Sequence, residues 1–572
     1  MKSAEKKSSN QIEFWFLAGS LILALTMAGG YLQPSAALLV LLLGAALVTA
    51  IWRSRMVVLS CDLHAVTFAV FTLMYLITAV WAVDRGMALT GFIHFLPVFF
   101  FYALLCRSIN AKERLIDLLP LLGSLMTLFS FLMMQFPVFR DYVSVANRLS
   151  GFFQYPNTYA LFMLVCLIIA AYRLQRERLD WMDIVYCGAA VFGIYMSGSR
   201  ITFLLLLGVL LFFALQSRKI RRIILPLAVI LLIVVIVLGI VGITGNLPGR
   251  LFDLSLHSST LLGRLLYAQD AWKLIWSHLF GSGYYGYYFL QTEIQTGVYS
   301  VVNVHNELLQ MMLDIGIIPA LLFYGTMLVT ICRKQVPARD RLAVAVILLH
   351  SLLDYDFQFL SICFVLILFL DLQNVKEYPI SMLTKIVSAA AFAAVVFGAA
   401  RIGMSELMMM NGQYEKAVQL YDGNTLAKMY CLTELEDPEE LEEMASSIVN
   451  VNQHVPLAYH ALAQSALSEG KIADYLKYKD RALELAPYDA DAYTDYLDAL
   501  SYCFDLYVSK GEKESAGICV QRAQKVPEML EQLKEKTSWL GWQINDAPQV
   551  TLPWEYQKLI ETMQQEYDMY NQ

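Results

Sequence analysis

FWFLAGSLILALTMAGGYL, residues 14–32, is the first of a series of apolar stretches that occupy most of the chain. A membrane-spanning helix needs roughly 20 apolar residues, so this stretch is long enough to cross a bilayer. Lys2, Lys6 and Lys7 precede it, a pattern shared by signal peptides and by first spans with a cytoplasmic N-terminus. We interpret it as an uncleaved first span, because it is long and further spans follow.

The composition is that of a membrane protein with a soluble tail. Of the 572 residues, 58% are hydrophobic and 16% are charged, and the mean hydropathy is +0.53. Soluble domains are nearer about 45–50% apolar and about 25% charged. The apolar excess lies between Phe14 and about Met404, and the formal net charge of −7 combines basic short loops with an acidic tail. Nucleic-acid binding therefore has no support.

Apolar stretches of sufficient length predict an all-α, polytopic bundle of about 12–13 membrane spans. They lie at 13–32, 35–52, 64–83, 87–106, 115–135, 157–172, 181–198, 201–216, 223–244, 307–332, 342–354, 357–371 and 381–403. The two stretches at 342–354 and 357–371 are short and also fit one broken hairpin.

Basic residues fall on every second loop, which predicts the orientation. They are Lys2, Lys6, Lys7, Arg53, Arg55, Arg107, Lys112, Arg114, Arg173, Arg176, Arg178, Arg218, Lys219, Arg221, Arg222, Arg333, Lys334, Arg339 and Arg341. The positive-inside rule places these loops and the N-terminus in the cytoplasm. The long loops at 136–157 and 245–303 and the tail then lie outside. An amphipathic stretch at 261–279 is expected to lie on the membrane or over the bundle. Because the cytoplasmic loops are short, we expect any chemistry to occur outside.

The tail, residues 404–572, is predicted to be a soluble domain of helical repeats resembling tetratricopeptide repeats. Apolar residues recur at helical spacing, and Tyr459 recurs as Tyr493 at the tetratricopeptide period of about 34 residues. Repeats of this kind stack into partner-binding surfaces, so an envelope protein is a candidate partner. The tail cysteines Cys431, Cys503 and Cys519 form no close pair. They indicate neither a disulfide framework nor a zinc site, and leave room for one bridge.

Several polar side chains stand at the predicted outer ends of spans, where membrane proteins place working groups. His305-Asn306-Glu307 precedes the span at 307–332, and no second histidine follows at zinc-binding spacing. An imidazole there can take a proton from a sugar hydroxyl. The alternative is that Asn303 or Asn306 caps a helix.

Two arginines are candidates for binding an anionic, lipid-linked substrate. Arg200 ends the stretch Ser197-Gly-Ser199-Arg200 and begins a span on the outer side, against the positive-inside tendency. Binding and simple anchoring are equal alternatives for it. Arg264 lies in the amphipathic stretch of the largest loop.

Two further groups of polar residues each allow two interpretations. Arg148 and Asn157 could bind sugar or phosphate oxygens, or Asn157 could cap a helix after a turn. His350, Asp354 and Asp356 could complete a pocket or form an exposed turn.

The segment 281–286, GSGYYG, formally matches a dinucleotide-binding pattern. We reject that interpretation because no βαβ context surrounds it. The glycines are expected to form a tight turn. Four tyrosines there could stack on sugar rings or lie at the membrane interface, namely Tyr284, Tyr285, Tyr287 and Tyr288.

Together these elements resemble the superfamily of O-antigen ligases and polymerases, membrane-embedded glycosyltransferases with a GT-C-like bundle. The resemblance covers about residues 136–372. Its markers are R-x-x-G-x-x-x-x-x-N from Arg148 to Asn157, S-x-S-R ending in Arg200, G-R with Arg264, G-x-G after W-x-x-x-W, and H-N-x-x-L-Q-x-x-x-D-x-G from His305 to Gly316. Members of this family with an outside tetratricopeptide-like tail are familiar.

The resemblance implies transfer of a glycan from undecaprenyl diphosphate, on the outer face of the cytoplasmic (inner) membrane, to a sugar hydroxyl or a protein. It implies that Arg200 and Arg264 bind the diphosphate, that His305 activates the acceptor, and that neither a metal nor another cofactor is needed. Inversion at the anomeric carbon is the expected outcome. Looser motifs add Arg148, Asn157, Asn306, His350 and Asp354 as candidate substrate-binding residues.

The motifs do not separate a ligase from a polymerase, although a docking tail slightly favours attachment to another envelope component. A solute transporter is a second class of function, but the sequence has no clear inverted repeat and its polar groups cluster on one face. A membrane-anchored scaffold is a third, for which so many spans would be excessive.

Overall fold

The computed structural model describes residues 2–54, 56–60, 62–175, 180–216, 222, 259–372, 375–544 and 546–571. In these residues the secondary structure is helical apart from two short antiparallel strand pairs, so the all-α prediction is confirmed. The predicted span at 223–244 and the loop residues 245–258 lie outside the described residues.

The membrane bundle begins with nine helices. They are α1 (Lys2–Thr26), α2 (Gln33–Arg53), α3 (Leu63–Ile77), α4 (Arg85–Arg107), α5 (Ala111–Met134), α6 (Pro137–Val143), α7 (Pro156–Arg173), α8 (Trp181–Ser197) and α9 (Arg200–Gln216). After residue 258 follow α10 (Ser259–Ser277), α11 (Gly286–Ile294), α12 (Glu307–Ile315), α13 (Ile317–Cys332), α14 (Ala338–Ser351), α15 (Leu360–Leu368) and α16 (Met382–Met410). Single 3-10 turns occur at Ala28–Gly30, Thr78–Val80, Gly151–Phe153 and Asp356–Gln358.

Six helices in the described part of the chain are long and apolar enough to cross a membrane. They are Gln33–Arg53, Leu63–Val80, Arg85–Arg107, Ala111–Met134, Pro156–Arg173 and Met382–Met410, and four shorter apolar helices accompany them. The chain is therefore a multi-pass membrane protein. The short stretches predicted at 342–354 and 357–371 correspond to α14 and α15. Helix α14 ends at Ser351, and α15 begins at Leu360.

Two strand pairs connect loops of the bundle. β1 (Met56–Ser60) pairs with β4 (Val375–Pro379), and β2 (Ser144–Val145) pairs with β3 (Arg148–Leu149). Because β1 follows α2 and β4 precedes α16, the first pair ties together the connections at one end of two helices that pack along each other.

Helix α7 is the centre of the bundle. Every residue from Pro156 to Ala171 is buried, as expected of a helix that is apolar all round. α5, α8, α9 and α14 pack against it. The N-terminus of α7 thus holds a fixed position within the bundle.

The prediction of one continuous span at 307–332 is wrong. Helix α12 ends at Ile315 and α13 begins at Ile317, because Gly316 has φ 94° and ψ 164°. Glycine adopts such dihedral angles without the steric penalty of a Cβ, and a Cβ here would lie 2.9 Å from the carbonyl oxygen of Leu279. One glycine within an apolar run gives little sign of such a break.

The glycine-rich turn that follows α10 fills this break. Its Ser282 amide donates to the Leu313 carbonyl at 2.6 Å, and the Gly283 amide donates to the Asp314 carbonyl at 3.2 Å. Carbonyls released at a helix end need such partners, above all where water is excluded. Gly281 and Gly283 both have positive φ, 88° and 85°. The glycines therefore form a tight turn, as the sequence predicts.

The predicted amphipathic stretch at 261–279 corresponds to α10. One face, with Leu266 and Ile275 fully buried, packs on the bundle. Trp272 and Trp276 on the other face are exposed by 47% and 61%. The helix therefore covers the bundle with one face and presents tryptophan on the other.

Nine helices follow α16 in the described part of the tail, residues 411–544 and 546–571. They are α17 (Tyr414–Leu420), α18 (Thr425–Leu432), α19 (Pro438–Val449), α20 (Pro456–Ser468), α21 (Ile472–Glu484), α22 (Ala490–Lys510), α23 (Lys513–Lys536), α24 (Trp539–Gln543) and α25 (Trp554–Asn571). Sequential helices pack in pairs, including α20 with α21 and α22 with α23. The tetratricopeptide-like assignment stays a prediction. The three tail cysteines are free thiols, so the structure has no bridge among them.

The predicted domain boundary between 403 and 404 falls inside α16, which continues unbroken to Met410. The tail then docks back onto the start of α4. The Thr425 hydroxyl donates to the buried Asp84 carboxylate at 2.5 Å, the Asn452 amide donates to it at 3.3 Å, and the Tyr421 hydroxyl donates to the Gly86 carbonyl at 2.8 Å. A second contact joins the Ser538 amide to the Thr296 carbonyl at 3.0 Å.

Two pairs of glycines allow backbone to approach backbone at these contacts. A Cβ on Gly86 would overlap the carbonyl oxygen of Gly423, and a Cβ on Gly541 would overlap that of Thr296, beside Gly297. Replacement of these glycines must therefore separate the tail from the bundle.

We expect Gly86→Ala to lower the thermal unfolding midpoint of the detergent-solubilised protein and to speed proteolysis of the tail. The cost should exceed about 1 kcal/mol, since the new methyl group meets backbone that cannot rotate away. Gly188→Ala in α8 is the matched control, because its Cβ would have nothing within 4 Å. Equal behaviour of the two variants would contradict the close docking.

Candidate functional site

The carboxylate of Asp354, between α14 and α15, is the centre of a cluster of polar side chains. It is fully buried and accepts from the Tyr155 hydroxyl at 2.7 Å, the Asn157 amide at 2.8 Å and the Arg264 guanidinium at 3.1 Å. The Nδ1 atom of His305 lies 3.3 Å from it. Side chains from three separate parts of the chain thus meet on Asp354, which excludes the exposed turn allowed by the sequence.

The surroundings of Asp354 keep it ionised. Burial by itself raises the pKa of a carboxyl, but the positive charge of Arg264 and the hydrogen bond from His305 outweigh burial and hold the pKa of Asp354 below its usual range. The negative charge in turn favours a proton on the Nδ1 atom of His305.

His305 has the geometry of an oriented base. With Nδ1 directed at Asp354, the Nε2 atom is the free acceptor, and it has no hydrogen-bond partner in the described part of the chain. The side chain is 23% exposed, so a ligand can reach it. The ring packs edge-on against Tyr355 at 4.8 Å. Its φ of 57° lies in the left-handed region, which few residues other than glycine adopt.

Arg148 and Asn157 act within the cluster. Arg148 donates from Nη2 to the Asn157 side-chain oxygen at 2.6 Å and from Nε to the Ser197 carbonyl, at the end of α8, at 2.7 Å. The amide of Asn157 therefore points toward Asp354. The alternative that Asn157 caps a helix does not hold, since α7 starts without a side-chain cap and Asn157 lies in its first turn.

A second buried group braces the first. His350 lies 2.6 Å from Asp356 through Nδ1 and 3.0 Å from the Thr202 hydroxyl through Nε2, while the Thr158 hydroxyl donates to Asp356 at 2.8 Å. Both ring nitrogens of His350 are thus occupied and the side chain is fully buried. The structure therefore gives His350 a bracing position beside Asp356, and its contact with substrate stays a prediction.

Arg200 and Asn306 lie outside the hydrogen bonds around Asp354. Arg200 is the first residue of α9 and is half-buried. It adjoins Ser199, whose hydroxyl lies 3.0 Å from that of Thr202 in the second group. Asn306 accepts from the Leu309 amide at 3.1 Å and caps α12. The capping alternative thus describes Asn306, whereas Arg200 stands at the edge of the cluster.

Sequence reasoning missed two contributors to this site. Tyr155 lies inside the motif from Arg148 to Asn157, but only the ends of that motif were informative. Glu307 accepts from the Phe357 amide at 3.2 Å and from the Gln358 side chain at 3.0 Å, which fixes the loop that carries Asp354. An acidic residue at the start of an apolar run was the available signal for Glu307.

We expect Asp354→Asn to destabilise the fold by roughly 3–5 kcal/mol, because it leaves the charge of Arg264 buried without its partner. The thermal unfolding midpoint in detergent measures this loss. Asp505→Asn, at an exposed position on α22, is the control and should leave the midpoint unchanged.

The difference between Asp354→Asn and wild type should also depend on pH. Because folding lowers the pKa of Asp354, its stabilisation is present above the unfolded value near 3.8 and is lost as pH falls below that value. The difference should be constant between about pH 5 and pH 8 and shrink below about pH 4. A difference that grows on acidification would contradict an ionised Asp354.

Comparison with known proteins gives one match. Residues 185–324 match the family model described as O-Antigen ligase. That stretch contains Arg200, Arg264 and His305, whereas Asp354 and the segment 148–157 lie outside it. No curated protein and no solved structure matches the chain. Over residues 185–324, the chain is therefore similar to the O-antigen ligase family.

Proposed function

We propose that the chain transfers a glycan from undecaprenyl diphosphate to an acceptor hydroxyl at the outer face of the cytoplasmic membrane. The O-Antigen ligase match supports surface-polysaccharide transfer in general. The observation that carries the proposal is the pair of His305 and Asp354, 3.3 Å apart, with Arg264 on the same carboxylate. It combines an oriented base with a cation at one accessible position.

Arg264 and Arg200 are the proposed diphosphate-binding residues. Arg264 uses Nη2 for Asp354, and its Nε and Nη1 make no hydrogen bond within the described residues. These donors suit diphosphate oxygens, which guanidinium groups bind in bidentate fashion. The arginines supply positive charge where the leaving group becomes more negative, so we propose a metal-independent reaction.

His305 is the proposed general base. As the acceptor oxygen forms its bond to the anomeric carbon, its proton passes to the Nε2 atom of His305. The bond between the anomeric carbon and the diphosphate oxygen breaks, and undecaprenyl diphosphate leaves with the electron pair. The ionised Asp354 stabilises the positive charge that forms on the imidazole. Attack opposite the leaving group inverts the anomeric centre.

The distribution of polar groups supports a site at one face of the membrane. The connections that carry Asn157, Arg200 and Asp354 meet at one end of the bundle, and the tail docks where α4 begins. With the N-terminus in the cytoplasm, as the basic loops predict, this end and the tail at 404–572 face outward. We propose residues 1–403 as the transferase domain and the tail as a helical-repeat domain that binds an envelope partner.

The acceptor is a glycolipid, glycan or protein for a ligase, and a second lipid-linked repeat for a polymerase. A transporter or a scaffold is the alternative class of function. Burying the ionised carboxylate of Asp354 has an energetic cost that would serve no purpose in a scaffold. The buried Asp354 therefore favours the transferase over the scaffold.

We expect Arg200→Ala, Arg264→Ala and His305→Ala each to abolish the final surface glycan and to accumulate its lipid-linked precursor. Size separation of both fractions from membranes with equal protein levels measures this. Accumulation of short, unpolymerised lipid-linked units in the variants would indicate a polymerase. Accumulation of long, unattached lipid-linked chains would indicate a ligase. Wild-type behaviour of all three variants would refute the transferase and favour the transporter or scaffold.

His305→Asn separates catalysis from folding. Asparagine adopts the left-handed region readily, and Asp354 keeps its three other partners. The free energy of unfolding should therefore stay within about 1 kcal/mol of the wild-type value. The transfer rate should fall by about 10²–10⁴-fold with the loss of general-base catalysis. A folded variant with unchanged rate would exclude His305 as the base.

A further inference from the structure

A cleft separates the membrane bundle from the tail beside the Asp354 cluster. The walls come from the turn after α1, from α4, from the tyrosine-rich turn before α11, from α16 and from the start of the tail. Tyr31, Tyr284, Tyr285, Tyr421 and Glu406 are prominent in its lining. The mechanism above uses none of them.

The lining defines a class of ligand. Four tyrosines offer flat apolar faces together with polar hydroxyls, a combination that suits amphipathic ligands. Glu406 is the only charged residue among those described in the lining, and no lysine or arginine accompanies it. A site with one carboxyl group and no basic residue offers a diphosphate no cation, whereas its oxygens can accept hydrogen bonds from hydroxyl groups. A sugar ring, apolar on its faces and hydroxylated at its rim, has the complementary chemistry.

Glu406 has an acceptor to spare. Its Oε2 atom accepts from the backbone amide of Gln33 at 3.1 Å, in the first turn of α2. Its Oε1 atom has no hydrogen-bond partner among the described residues. The carboxylate therefore both fastens α2 to α16 and presents an acceptor at the cleft.

The backbone at Tyr285 is a second, independent observation. Its φ is 66°, and a bulky residue in the left-handed region is a genuine outlier. Strained conformations of this kind concentrate at functional sites. Here the conformation at the N-terminus of α11 places Tyr285 in the cleft wall.

Aromatic rings connect the cleft to the catalytic cluster. Tyr31, in the cleft wall, lies 6.4 Å from Tyr355, and Tyr355 lies 4.8 Å from His305, measured between ring centroids. Tyr31 also lies 5.2 Å from Phe359. The cleft thus ends within two rings of the proposed base.

We propose that this cleft binds the acceptor glycan, with sugar rings against its tyrosines and a sugar hydroxyl on Glu406. The proposal rests on the proposed function, because it assigns the second substrate of the same reaction. The tail contributes Tyr421 to the cleft, so acceptor binding needs the docked tail. The tyrosines of the turn before α11, which the sequence left between sugar stacking and the membrane interface, belong to this site.

The test uses the full-length protein in detergent and short oligosaccharides released by mild acid from the host's own surface polysaccharide. Glu406→Gln keeps an oxygen for the backbone amide of Gln33 but replaces the second carboxyl oxygen with an NH2 group, and Met409→Trp fills the cleft. Glu415→Gln, exposed on neighbouring α17, is the matched control. Saturation-transfer NMR measures binding without donor, and transfer kinetics measure KM and kcat.

We expect both cleft variants to weaken oligosaccharide binding and raise the acceptor KM by about tenfold or more, with kcat and the donor KM unchanged, because acceptor binding alone is removed. Glu415→Gln should match wild type. Unchanged binding and acceptor KM in both cleft variants would overturn the proposal. Activity in His305→Ala would instead refute the proposed function, while the donor-free NMR experiment would still decide whether the cleft binds sugar.

Discussion

A buried, ionised carboxylate constrains the site end of this molecule. Removing a charge from water is costly unless partners replace the solvent, and Asp354 finds them on α7, α10 and the segment before α12. None of these partners is near it in sequence. The connections must therefore adopt their observed positions together. One requirement thus both holds the bundle closed at this end and orients His305.

The break at Gly316 serves the same end of the structure. A continuous helix from 307 to 332 would occupy the space in which the Gly281–Gly283 turn now takes up the released carbonyls. Because α12 stops at Ile315, the chain before it can turn sharply and present His305, and Glu307 can reach the loop of Asp354. Irregular backbone inside a membrane protein is tolerated where protein groups satisfy it, and the glycine turn does so here.

Much of this architecture was predictable from sequence, for definite reasons. Apolar length alone predicted α2, α4, α5 and α7 to within a few residues, and interruptions by Arg, His and Asp marked Arg264, His305 and Asp354. The pairing of these residues was not predictable, because Asp354 and Arg264 are 90 residues apart and no local pattern links them.

Other features could not be predicted from the sequence. The break at Gly316 depends on one residue in an apolar run, and the strand pair of β1 with β4 joins segments far apart in the chain. The sequence also left open the alternatives for His350 and Asn306. A histidine that supports a neighbouring carboxylate and one that contacts substrate have the same sequence pattern. Only the burial of His350 and the cap on α12 separate these cases.

The contact between Gly86 and Gly423 has a consequence for how this protein can be re-engineered. The seam there is backbone against backbone, so no choice of larger side chains on one partner can compensate for a change on the other. A tail grafted from another protein would seat only if it brought a glycine to the same point and hydroxyl or amide donors for Asp84. The exchange of tails is therefore limited by the fit between the two main chains. A successful chimera must keep the backbone contact between Gly86 and Gly423 together with the repeats.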